Sequence, residues 1–224
     1  MEVAVLISGG KDSTYSLWLA LQQFDVKYLI TVLSGKESTL FQYQKKTYIE
    51  AYSKAVQIPI KIIEVINEKE ELSLLEKGIS EICVEAIIIG GLLSEYQRTK
   101  FNSVAVNLGI PCYAPIWRKD QKMLLQEIIN HDYQVILSLV AGLGFKKKDV
   151  GAEFNSHLLN RLEQLNNKFG ISLGGEGGEY ETLVLDTPFF KKKIEIVEKE
   201  IIFDENRSQG YLEINKLKLV EKEI

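Results

Sequence analysis

A five-residue apolar run, Val3-Ala4-Val5-Leu6-Ile7, breaks off at Ser8-Gly9-Gly10-Lys11-Asp12-Ser13 and gives way to apolar residues at helical spacing, Leu17, Leu21 and Phe24. A continuous apolar strand suits a sheet buried on both faces, and such sheets are parallel and need crossover helices. The next hundred residues keep that rhythm. Strands are predicted at 27–33, 60–66 and 86–89, and helices at about 40–56, 69–82 and 95–108. The alternation predicts an α/β fold, a parallel sheet with helices on both faces.

Beyond residue 118 the pattern changes. A helix at 120–130, a strand at 133–139 and a helix at 152–168 lead into Gly174-Gly175-Glu176-Gly177-Gly178. Strand-like runs at 181–186, 192–203 and 210–220 follow, with Asp204-Glu205-Asn206-Arg207 as a hairpin connection. Two parts are therefore expected, an α/β domain over 1–118 and a smaller α+β part over 119–224.

With 224 residues, 46% of them hydrophobic and 26% charged, the chain can bury a core without disulfides or structural metal. No apolar run approaches the ~20 residues of a membrane span, and no basic leader precedes the first strand. Cys83 and Cys112 form no CxxC pair, which argues against a disulfide framework or zinc ribbon. Both are expected as buried apolar groups, and His131 and His157 lack ligand partners at useful spacing. The net charge of −4 makes extended nucleic-acid binding a poor expectation. Lys146-Lys147-Lys148 and Lys191-Lys192-Lys193 read as solvated faces. These features point to a cytoplasmic protein.

Ser8-Gly9-Gly10-Lys11-Asp12-Ser13 sits where the first strand turns into the first helix. Ligands of open α/β sheets bind beyond the carboxyl ends of the strands. Paired glycines let backbone approach an anion, and the helix start offers unpaired N–H groups and a positive dipole end. Ser8 and Ser13 add hydroxyls and Lys11 a cation. Asp12 conflicts with a phosphate unless Mg²⁺ lies between them. A tight turn with Asp12 or Ser13 as helix cap would account for one residue, not for the ordered set.

Two further segments carry chemistry. Gly90-Gly91 ends a strand and opens onto Ser94-Glu95-Tyr96-Gln97-Arg98, in which Ser94 and Gln97 have capping-box spacing. Arg98 opposes the dipole of that helix, so an anionic partner is expected for it. Glu176-Gly177-Gly178-Glu179-Tyr180-Glu181-Thr182 crowds like charge, a costly arrangement unless a cation is near. If extended, the segment puts Glu179 and Glu181 on one face. Paired carboxylates in a flexible glycine collar suit a cationic substrate, ammonium or a metal.

The first loop matches the SGGxDS signature of the PP-loop, or N-type, ATP pyrophosphatases, a fold also described as adenine nucleotide alpha hydrolase-like. With Ser94-Glu95-Tyr96-Gln97-Arg98, then Trp117 and Asp120, then Glu176 to Thr182, the chain resembles the diphthine–ammonia ligases over about residues 1–190. The resemblance implies an AMP-forming ligase that uses ATP, Mg²⁺ and ammonium to amidate diphthine on translation elongation factor 2. It assigns 1–118 to ATP binding and 119–224 to the substrate. Cofactor binding falls to Ser8, Gly9, Gly10, Lys11, Asp12, Ser13, Gly90, Ser94 and Gln97, with Asp12 on the metal. Catalysis falls to Lys11, Asp12, Arg98, Glu179 and Glu181. Substrate contacts fall to Tyr96, Trp117, Asp120, Glu176, Gly177, Gly178, Tyr180 and Thr182. Tyr180 is expected to offer a ring face to the cationic acceptor. Lys100 and Asn102 depart from an Arg and a Glu common in the family. A tRNA-modifying thiolase or lysidine-type ligase of the same superfamily is the alternative, and a non-catalytic ATP-binding module a further one.

Overall fold

The computed structural model describes residues 1–35 and 38–222. The chain folds as two compact units, Met1–Arg118 and Lys119–Ile224. In the first unit, strands β1 (Glu2–Leu6), β2 (Asp25–Leu33), β3 (Ile60–Glu64), β4 (Ala86–Ile88) and β5 (Cys112–Tyr113) alternate with helices α1 (Lys11–Gln23), α2 (Lys46–Val56), α3 (Glu71–Ser80) and α4 (Glu95–Leu108). All five strands are parallel in the order β3-β2-β1-β4-β5, so the winding reverses between β1 and β4. The crevice of such a sheet opens at that reversal, beyond the carboxyl ends of the strands.

Alternation along the strands divides the core. Ala4, Ile30, Val32 and Ile87 pack against Leu75 and Ile79 of α3 and Phe101, Val104 and Ala105 of α4. Val3, Val5 and Leu29 point the other way, where α1 and α2 bury Leu17, Ala20, Ile49 and Tyr52. Helices thus cover both faces, as the sequence pattern implies.

Three local expectations are corrected. The helix expected from residue 40 starts at Lys46. Upstream, Ser38 Oγ accepts from the N–H groups of Leu40 and Phe41, and the Leu40 carbonyl accepts from Gln97 Nε2 at 3.0 Å. Those side chains give the backbone an alternative to helix. The two-residue β5, close to Pro111 and Pro115, carries too little pattern to be read; it extends the sheet through Ile87↔Cys112 and Ile88↔Tyr113. The helix expected from 152 starts at Ser156, because Glu153 bridges to Ile136 and Asn155 caps by accepting from Leu158 N at 3.1 Å.

The second unit is α+β. Strands β6 (Gln134–Ala141), β7 (Tyr180–Asp186), β8 (Lys192–Asp204) and β9 (Gln209–Glu221) form an antiparallel sheet in the order β7-β6-β9-β8. Helices α5 (Gln121–Asn130) and α6 (Ser156–Phe169) bury Leu124, Leu125, Ile128, Leu158, Leu162 and Leu165. The β8–β9 hairpin turns where Asp204 Oδ1 accepts from Asn206 and Arg207 N–H groups. Charged residues line its edge strand, a pattern that discourages edge-to-edge pairing. Near the end of β6, buried Asp149 accepts from Arg161 Nε and Nη2 at 2.7 and 2.8 Å, and from Lys146 N. Arg161 also donates to the Gly144 carbonyl, closing the 142–150 turn onto α6. Hydrogen bonding to Asp149 holds the Arg161 guanidinium above its ordinary range.

Candidate active site

Residues 8–13 span the end of the β1–α1 connection and the first turn of α1, at the winding reversal. The loop is stitched internally. Ser13 Oγ lies 3.2 Å from Ser8 Oγ, accepts from Ser8 N and donates to the Gly10 carbonyl. Gly10 N donates to Ser8 Oγ. Asp12 and Ser13 are inside the first turn of α1 rather than capping it, and its N-cap, Gly10, supplies no side-chain acceptor. The amino end of the helix therefore has no side chain taking the place of a ligand anion.

Two neighbours fix the loop from outside. Gly9 has φ +76°, and its carbonyl accepts from Tyr48 Oη at 2.8 Å. A Cβ at Gly9 would lie 2.4 Å from the Tyr48 ring. Gly90, just after β4, packs on the first turn of α1 so closely that a Cβ there would sit 2.6 Å from Ser13 Cα. Beneath the loop Tyr52 Oη donates to Thr14 Oγ1, and burial raises the phenol well above its ordinary range.

Lys11 and Asp12 hold the charge. Lys11 is 3% exposed, and its ammonium pairs with Asp12 Oδ2 at 2.8 Å. Asp12 Oδ1 is buried with no hydrogen-bond partner. A buried, unpaired carboxylate oxygen is costly, so this atom is a candidate donor to a further partner. Mg²⁺ takes one or two protein carboxylates and completes its shell with phosphate oxygens and water, which fits this donor set. Among the described residues no group of three or more His, Cys, Asp or Glu forms a metal cage.

At the end of β4, Ser94 caps α4 by accepting from Gln97 N at 3.3 Å. The reciprocal half of a capping box is replaced by the Gln97 bond to the Leu40 carbonyl. Arg98 finds its anion in its own helix: Nε donates to Glu95 Oε2 at 3.2 Å, and its guanidinium lies 4.7 Å from the Trp117 ring centre. Arg118 donates to the other oxygen of Glu95 and lies 5.8 Å from the same ring. Trp117 is half-buried. Tyr96 is exposed, with Lys100 Nζ 5.6 Å from its ring centre.

In the second unit, the glycine collar is tied down by hydrogen bonds. Glu179 Oε1 accepts from Ser172 N at 2.7 Å, and Oε2 accepts from Gly177 N at 2.9 Å. Those bonds give both carboxylate oxygens a backbone donor. Glu179 directly precedes β7, its carbonyl accepting from Ala141 N at 2.7 Å, and Glu181 lies within the strand across from Leu139. Tyr180 is 3% exposed and donates to the Leu173 carbonyl, which removes its ring from contact with an acceptor. Thr182 is buried within β7. Asp120 caps α5 by accepting from Met123 N at 2.8 Å.

Residues 1–112 match the family described as the diphthamide synthase N-terminal domain, and residues 120–220 match the diphthamide synthase C-terminal domain. The chain belongs to the diphthamide synthase family. Among relatives named diphthine–ammonia ligase, that of Bos taurus is 32% identical, over 99% of this chain and 94% of its own. The Homo sapiens relative is 28% identical over the same shares. The Schizosaccharomyces pombe relative is 33% identical over 96% of this chain, which spans 39% of the yeast protein. A solved structure described as a predicted subunit of a tRNA methyltransferase from Methanocaldococcus jannaschii aligns with a TM-score of 0.46 at 17% identity. It covers 84% of this chain and 98% of its own.

Within the diphthamide synthase fold, several site neighbours carry no local signal. Tyr48 and Tyr52 sit on α2 in a pattern that reads only as core. Glu95 and Arg118 look like ordinary surface charge until they meet at Trp117. Gln121 and Ser172, 51 residues apart, join side chain to side chain at 3.0 Å. Cys83 is exposed, contrary to expectation, and Cys112 is half-buried with its thiol pushed up to about 11 by burial. No helix among the described residues is long and apolar enough to cross a membrane.

Proposed function

We propose that this chain is an AMP-forming carbon–nitrogen ligase that converts diphthine, a modified histidine of a protein substrate, to diphthamide with ATP and ammonium. The observation that carries the ATP-cleaving part is the Asp12 carboxylate, one oxygen on Lys11 and the other buried without a partner. The diphthine part rests on family membership along both halves of the chain.

In this reading the pyrophosphate end of ATP lies on the uncapped start of α1, with Ser8, Gly9, Gly10 and Ser13 shaping the loop. Lys11 balances phosphate charge, and Asp12 holds Mg²⁺. The metal, when bound, neutralises phosphate charge. The diphthine carboxylate attacks the α-phosphate, giving an acyl-adenylate and pyrophosphate. Ammonia, formed from ammonium by loss of a proton, then attacks the acyl carbon and releases AMP. Arg98 supports the departing charge by turning from Glu95 to the phosphates. Positioning and preorganised charge supply most of such an acceleration.

The protein substrate is translation elongation factor 2, which places the reaction in the cytoplasm. A sulfur-transferring alternative finds no support at Cys112. The Cys112 thiol is held protonated by burial, whereas sulfur chemistry needs a thiolate. The test is incubation with diphthine-bearing elongation factor 2, ATP and ammonium, with the modified peptide read by mass spectrometry and nucleotides by chromatography. Carboxamide formation with matching AMP and pyrophosphate supports the reading. ADP with orthophosphate, or nucleotide binding without turnover, refutes it.

A further inference from the structure

The 172–178 loop is accounted for almost bond by bond. Ser172 N and Gly177 N donate to Glu179. Gly174 N donates to Gln121 Oε1 at 2.5 Å, and Glu176 N to Ser172 Oγ at 3.1 Å. Gly175 N and Gly178 N donate to the carbonyls of Ser172 and Gly175. The Ser172 hydroxyl also donates to Gln121 Oε1. Two side chains, Gln121 and Glu179, receive four of the donated bonds.

Each of these acceptors is itself held. Gln121 is the first residue of α5, whose start is fixed by the Asp120 cap. Glu179 is followed directly by β7 and lies so close to Gly177 that a Cβ there would be 2.7 Å from Oε1. Both carboxylate oxygens are spent on backbone N–H groups, and charge-assisted bonds of this kind are the stronger ones.

We propose that Gln121 and Glu179 are positioning residues that hold the 172–178 backbone in its binding shape before the acceptor arrives. The substrate assigned to that shape rests on the proposed function: a diphthine side chain, which carries a cationic nitrogen, or ammonium. Glu179 acts on the bound cation through the backbone that it orders. Ordering the loop at the folding stage removes that entropy from the binding step.

The test compares Gln121→Leu, which deletes the acceptor, with Gln121→Glu, which keeps it, and uses Ser172→Ala as a milder variant should Gln121→Leu not fold. Two readouts are taken on the full chain: amide hydrogen exchange over residues 172–178, and KM values for ATP, ammonium and the diphthine-bearing protein. In Gln121→Leu, or in Ser172→Ala to a lesser degree, loop exchange rises on the order of tenfold, the yield of losing one or two partly buried hydrogen bonds. The KM for ammonium or the protein substrate rises with it and that for ATP does not. Gln121→Glu restores both. Unchanged exchange overturns the proposal, as does faster exchange with unchanged KM values, or a failure of Gln121→Glu to restore them. Absence of amidation in the unaltered protein refutes the functional reading instead, and the exchange comparison then still decides whether Gln121 orders the loop.

Discussion

Gly90 and Gly91 are adjacent, and the structure assigns them opposite tolerances. A Cβ at Gly90 would lie 2.6 Å from Ser13 Cα and 2.8 Å from Ser13 N, both backbone atoms of the first turn of α1. Relief to an ordinary contact of 3.4 Å means a shift of 0.8 Å in the segment that carries Lys11, Asp12 and Ser13. A Cβ at Gly91 would meet only Ile89 Cδ1, at 3.8 Å. Overpacking of this kind costs about 1–3 kcal/mol of stability. Displacement of a catalytic group by ~1 Å costs about 10²-fold in rate. Gly90→Ala is therefore expected to lower the melting temperature and cut ATP-dependent pyrophosphate release about a hundredfold, while Gly91→Ala stays near the unaltered protein. Both are measured by thermal denaturation and a coupled pyrophosphate assay. Equal impairment of the two variants, or full activity of a folded Gly90→Ala, would refute the claim that Gly90 sets the position of the loop.

Asp12→Ala is expected to lose about 10²–10³ in turnover with nucleotide binding largely kept, as checked by kinetics beside calorimetric titration. Arg161→Met leaves the Asp149 carboxylate buried without its guanidinium, and denaturant unfolding should register a loss of about 3–5 kcal/mol. Exposed Cys83 should be alkylated at mildly alkaline pH well before Cys112, which is largely protonated below about 11; a pH series of peptide mass spectra reads the order, and rapid Cys112 labelling at pH 8 would contradict its burial.

Much of the fold was legible because its causes are local. The apolar strands, the helix at 95–108 and the Asp204 hairpin follow from periodicity and turn chemistry. What escaped depended on distant partners. Nothing near residue 40 announces that Gln97 will take the Leu40 carbonyl, and β5 exists because β4 leaves an edge beside Cys112. The same division runs through the site. Ser8 to Ser13 can be read from composition, since glycine, hydroxyl, cation and carboxylate are all within six residues. The acidic segment is legible only in part. Its charges are plain in the sequence, whereas the bonds of Glu179 to the N–H groups of Ser172 and Gly177 and the inward turn of Tyr180 depend on the fold. Sequence gives the charge of a side chain and leaves its direction to the fold.

The central claim is that the acceptor carboxylate attacks the α-phosphate of ATP, and the fate of that carboxylate's oxygen tests it most directly. Diphthine-bearing elongation factor 2 labelled with ¹⁸O in the diphthine carboxylate is turned over with ATP and ammonium, and the nucleotide is analysed by mass spectrometry. The account predicts one labelled oxygen in AMP for each amide formed. Label in orthophosphate with ADP as the nucleotide product, or unlabelled AMP beside a completed amide, would contradict it.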